Sequence, residues 1–193
     1  MDRKQEANLE YNIDYRNVKH PRLEFKTGTL LLILPKSYKS EKEVLEKYRK
    51  WIGKKELIIR TALQEANTRS LNQDRTDKEL RNLVHTLARN FQRELDTYIA
   101  KIYFRKMKTK WASHSQNNNL TINTLLKYLP QPQIEYVTYH ELIHAKQGKK
   151  HDKNFWNLIN RKFKNYQTLE NDLLTYWFLI QQNLRKPETM KRF

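Results

Sequence analysis

Two histidines four residues apart, in His140-Glu141-Leu142-Ile143-His144, can act together only on an α-helix, where that spacing puts both rings on one face. The residues around them agree with a helix. Pro132 suits a first turn, Ile134, Val137, Leu142 and Ala145 continue it, and Gly148 can take the left-handed backbone that closes it. Thr138, Leu142, Ile143 and Ala145 are uncharged, as in a helix buried behind a site; Lys146 is the exception.

The chain has no cysteine, so a metal must bind through His, Asp or Glu. Two imidazoles hold zinc poorly; a catalytic site has three protein ligands and an open fourth position for water. His151 can supply the third, because the chain can reverse through Lys149-Lys150 after Gly148 and return it toward His140 and His144. Glu141 lies beside the ligand face, close enough to take a proton from water at the metal without ligating it. The expectation is one Zn2+ per chain on His140, His144 and His151, with Glu141 as general base. His20 and His85 have no partner at ligand spacing.

A length of 193 residues points to one domain over 1–193. Its expected parts are strands and a first helix over 1–53, a helical segment over 54–105, the core of the site over 106–167 and a last helix over 168–193. Tyr15, Val18, Leu23 and Phe25, the turn signal Lys26-Thr27-Gly28 and the apolar run Leu30 to Leu34 predict a β-hairpin or two to three short strands. Ser40 with Glu43 and Thr76 with Glu79 are capping boxes. The first opens a helix with Val44, Leu45, Tyr48 and Ile52 on its apolar side. The second opens a long helix through Leu80, Val84, Leu87, Phe91, Leu95 and Tyr98, ending near Tyr103, after a connection over 67–74. Asn117-Asn118-Asn119 separates Trp111 to Ser115 from the strand-like Leu120 to Asn123, a second hairpin. Further helices start near Asp152 and run from about Leu169 to Leu184.

Thirty-eight Lys and Arg against 21 Asp and Glu give +17, so a polyanionic partner is a serious expectation. Arg81, His85, Arg89 and Arg93 follow at four-residue steps, away from the apolar stripe of their helix; Lys146, Lys149, Lys150 and Lys153 crowd the expected metal loop. These cations form either a track for DNA or another polyanion or solvated faces. The run Leu30 to Leu34 is too short to cross a bilayer, and no apolar segment follows Met1 to Gln5. A cytoplasmic location without a membrane partner is the default.

Residues 107 to 115 (Met-Lys-Thr-Lys-Trp-Ala-Ser-His-Ser), then His140 to His144, then His151 with Phe155-Trp156, resemble the YgjP-like metallopeptidase family, relatives of the SprT-like zincins. The N-terminal strands and the helix end at Lys50-Trp51-Ile52 resemble it too; residues 54 to 75 and those beyond 167 match less well. The resemblance implies a zincin-like α+β fold, with a small antiparallel or mixed sheet packed on helices, one of which carries the HExxH motif. It puts the strand Leu120 to Asn123 at the edge of a substrate cleft where a peptide adds by β-augmentation. Trp111, Ser113, His114, Leu120, Thr121 and Ile122 are then the candidate cleft residues. Ala112 and His114 stand where the family usually has Gly and often Cys, and the step from His144 to His151 is one residue longer than in many members. His114 either stabilises an oxyanion or contacts substrate, or simply packs.

The implied function is a zinc metallopeptidase acting on proteins, at or near DNA. Two alternatives remain at this point. A nucleoside triphosphate pyrophosphatase-type hydrolase would need another divalent ion, and the chain lacks a Gly-rich phosphate loop. A nucleic-acid-binding module with structural zinc is disfavoured, because structural sites are normally closed by four protein ligands. No pattern in the chain specifies an oligomeric state.

Overall fold

Alternating and continuous apolar segments near the N-terminus have to pair as strands, because each buries side chains but cannot satisfy its own backbone. In a computed structural model, which describes residues 2–6, 9–26, 29–38 and 40–185, they do so as one sheet. Its strands are β1 (Asp2–Glu6), β2 (Leu9–Arg16), β3 (Arg22–Lys26) and β4 (Thr29–Pro35), in the order β1-β2-β4-β3. β3 and β4 form the expected hairpin, whose turn at 27–28 lies outside the described residues. β1 lies outside the expected strands, and β2 pairs with β4 in parallel, a pairing that the residue pattern does not announce.

This sheet belongs to a first compact unit, residues 1–68, which also holds α1 (Glu41–Lys47) and α2 (Arg49–Ala66). Its core joins Tyr11, Ile13, Leu30, Leu32 and Leu34 to Val44 and Leu45. Two expectations need correcting. Ser40 precedes α1, but its side chain makes no capping bond. The helix carrying Trp51 does not stop there: α2 runs on to Ala66, because nothing between Lys54 and Ala66 breaks it.

The second unit, residues 69–193, is built around two long helices. α3 (Asp77–Leu95) opens with the capping box of Thr76 and Glu79, both of whose bonds are formed. It ends eight residues before the expected Tyr103. Asp96 takes φ 49°, and Gln92 Oε1 accepts the Ile99 N–H, which turns the chain out of the helix. Lys101–Arg105 then becomes a strand, β5. β6 (Ala112–His114) and β7 (Asn119–Asn123) make the second hairpin, and β5 adds alongside β7 in parallel, giving the order β5-β7-β6.

A 3₁₀ turn (Thr124–Tyr128) leads into α4 (Gln131–Gln147), the helix of the two histidines. Arg75 donates to the carbonyls of Lys127 and Leu129, fixing this approach. α4 is apolar over most of its circumference, burying Ile134, Tyr136, Val137, Tyr139, Leu142 and Ile143. α5 (Lys153–Lys162) and α6 (Tyr166–Arg185) complete the unit. Lys146, the odd charge on α4, has a structural use. Its Nζ donates to the Leu95 carbonyl at 2.6 Å, at the C-terminal end of α3, where a cation is favoured.

Candidate metal centre

The segment after α4 decides whether the spacing of His140 and His144 becomes a three-ligand site. Gly148 has φ 84° and ψ −165°, a backbone region that only glycine occupies without strain. Its N–H still bonds the His144 carbonyl at 2.9 Å, so the helix closes and the chain swings back at one residue. Asp152 then caps α5 through Oδ1 to the Phe155 N–H, anchoring the chain immediately after His151.

The result is a cluster in which His151 Nε2 lies 3.1 Å from both His140 Nε2 and His144 Nε2. Nitrogens bound to one tetrahedral zinc at about 2.0–2.1 Å stand about 3.3 Å apart, so the donor set fits that ion. The tautomer also fits. His144 Nδ1 is 2.9 Å from the Gly148 carbonyl, a geometry in which Nδ1–H donates and the Nε2 lone pair is left for a metal. Burial, and then the charges of His144 and His151, lower the pKa of His140 to about 3. Burial, and then His144, lower that of His151. Neutral imidazoles are what a metal needs. Among the described residues this triad is the only group of three or more metal-capable side chains.

Phe155 forms the floor of the cluster and is fully buried. Its ring stacks on His144 at 5.0 Å and meets His140 and His151 edge-on at 4.8 and 4.5 Å. Helical periodicity places Phe155 only on the apolar side of its helix. Spacing alone does not reveal a ring shared by three imidazoles.

Glu141 is half-buried beside the triad, and burial raises its pKa to about 7. The backbone N–H of His114 and the charge of Lys110 oppose that rise. The His114 contact follows from sheet register. Ser115 N–H bonds the Asn119 carbonyl and Asn123 N–H bonds that of Trp111, so by alternation the N–H of His114 points to the free edge of β6. The His114 ring lies near enough to His144 to feel its charge, and its Nε2 is buried without a partner.

The expected cleft residues separate accordingly. β7 is paired on both sides, and Leu120 and Ile122 are fully buried, so the strand Leu120 to Asn123 is not a cleft edge; β6 is the outer strand. Thr121 pairs with Ser113 across the hairpin, and Trp111 packs edge-on against Trp177 of α6 at 5.0 Å. Of this group, His114 reaches His144 with its ring and Glu141 with its backbone N–H.

Asn123, which the alternating pattern marks only as the end of a strand, holds the loop before β6. Its amide donates to the carbonyls of Met107 and Lys110 and accepts from the N–H groups of Met107 and Leu125. The available signal was a lone amide closing the alternating Leu-Thr-Ile-Asn.

A helix bearing two imidazoles and a carboxyl group, with a third imidazole returned by the following loop and a small sheet alongside, is the arrangement of a metallopeptidase centre. The chain belongs to the YgjP-like family: the family's metallopeptidase domain matches residues 4–176. No curated protein matches. Among solved structures it is similar to the metallopeptidase zymogen abylysin of Pyrococcus abyssi, at 22% identity, covering 48% of this chain and 92% of that one with a TM-score of 0.44. It is also similar to the zymogen of jannalysin from Methanocaldococcus jannaschii, at 23% identity, 60% and 97% coverage and a TM-score of 0.44. No helix among the described residues is long and apolar enough to cross a membrane.

Proposed function

We propose that the chain is a zinc peptidase in which His140, His144 and His151 hold one Zn2+ and Glu141 is the general base for hydrolysis of a peptide bond. The observation that carries this reading is the convergence of three imidazole nitrogens at zinc-ligand spacing beside a carboxyl group withdrawn from water. Zinc, when bound, supplies a Lewis acid that polarises the carbonyl and acidifies water.

The chain's own groups do the rest. Phe155 and the Gly148 carbonyl hold the imidazoles in register. Glu141, with a pKa near neutral, takes a proton from the attacking water and passes it to the leaving amine. The His114 N–H steadies that carboxylate. An extended peptide would add along the outer strand β6.

Glu141→Gln tests the assignment. Zinc content should stay at one ion per chain while cleavage of a casein-like substrate falls by about 10²–10⁴-fold. Full cleavage by this variant would remove Glu141 from the mechanism.

A further inference from the structure

Two adjoining grooves, of about 420 and 560 Å³, run along α3, and both are lined by Arg89 and Gln92. On one side the trough is walled by β5, which pairs only with β7 and so leaves its other edge open. Arg81, His85, Arg89 and Arg93 are all exposed along this helix, at a repeat of about 6 Å. Lys101, Tyr103 and Arg105 stand out from β5 on the face opposite Phe104, which meets Arg81 and His85 of α3, so they form the outer rim of the trough.

Among the described residues, none of the three arginines is neutralised. Arg81 sits 4.6 Å above the Phe104 ring, Arg89 reaches the Thr86 hydroxyl, and Arg93 donates to Asn90 Oδ1 at 2.7 Å. The acids of α3 are engaged elsewhere: Asp77 with Lys127, Glu79 in the capping box, and Glu94 with Lys162. One large aromatic ring lining the first groove stays in water, Tyr103 at 48% exposure.

We propose that the trough between α3 and β5 binds single-stranded nucleic acid, with the arginines following the phosphates and Tyr103 stacking on a base. The charge alone would suit any polyanion. An exposed tyrosine beside arginines without an acidic partner favours a strand whose base faces are free, since a duplex hides those faces and an acidic peptide has none. Arg89 and Arg93 line the grooves and Arg81 extends their row along the same helix face; of the lysines offered as an alternative track, Lys146 is committed to the Leu95 carbonyl, and Lys149 and Lys150 line neither groove and lie outside α3.

Fluorescence anisotropy of the full chain with labelled oligo-dT, oligo-U, a DNA duplex of equal length and heparin tests this. Either single strand, or both, should bind more tightly than the duplex. Arg81→Ala/Arg89→Ala/Arg93→Ala should weaken single-strand binding at least tenfold and reduce its salt slope by about 2. Tyr103→Ala should weaken it by about tenfold while leaving heparin binding unchanged. Glu141→Gln should bind like the wild type, so failure of the peptidase assignment leaves this test intact. Circular dichroism establishes that each variant is folded. Undiminished binding by the folded triple arginine variant, or equal binding of duplex and single strands with no effect of Tyr103→Ala, would overturn the proposal.

Discussion

Asn123 is fully buried and uses both ends of its amide on four backbone groups, two of them the Met107 and Lys110 carbonyls that shape the loop entering β6. Asn123→Ala deletes these bonds and leaves buried backbone groups unsatisfied, at a cost of about 2–4 kcal/mol. For a chain of this size the melting temperature should fall by about 5–15 °C. A melt within a degree of the wild type would mean that water or a neighbour replaces the amide. The proposed metal ligands are the opposite case for legibility. His140 and His144 are readable because a spacing of four has one meaning on a helix, whereas the tasks of Asn123 and Phe155 depend on elements brought together from distant sequence. His151→Ala should accordingly abolish stoichiometric zinc binding in a metal analysis, and His85→Ala should leave it unchanged.

At the scale of elements, starts are easier to read than ends. Thr76 and Glu79 mark the start of α3 through reciprocal side-chain bonds that residue type announces. The apolar rhythm then runs past the true end, because Tyr98 continues the spacing although Asp96 has already left the helix. The capping box has a pH signature. The Thr76 N–H and hydroxyl hold the Glu79 carboxyl below the usual carboxylate range. A depressed pKa stabilises the fold above the unfolded value and is lost as pH falls through the folded one. Glu79→Gln should therefore lower the melting temperature at neutral pH, and the gap to wild type should close below about pH 4. Gly148 is the element-scale test of the site. A methyl group there meets nothing within 4 Å, so Gly148→Ala costs only backbone strain, which falls on the loop returning His151. Zinc affinity should drop by about tenfold. Gly53→Ala, inside α2 and equally open, should stabilise by about 0.5–1 kcal/mol and leave zinc affinity alone.

For the whole molecule, the three proposed ligands come from one unit: two from α4 and one from the loop before α5, all within residues 69–193. Residues 1–68 contribute none, and their core of Tyr11, Ile13, Leu30, Leu32 and Leu34 closes on Val44 and Leu45 of α1, with Ile52 of α2 packed against it. Metal that binds only the folded state stabilises by mass action, about 2.7 kcal/mol at a hundredfold excess over Kd. A chelator should thus lower the melting temperature of wild type by roughly 5–10 °C and that of His140→Ala hardly at all. Hydrogen exchange locates the effect. Amides of α4 and α5 should lose protection when zinc is stripped, while those of β2 and β4 keep theirs. Equal loss in both units would mean that the metal governs folding of the entire chain; loss in neither would mean that the histidines converge without metal, held by Phe155, Gly148 and the Asp152 cap.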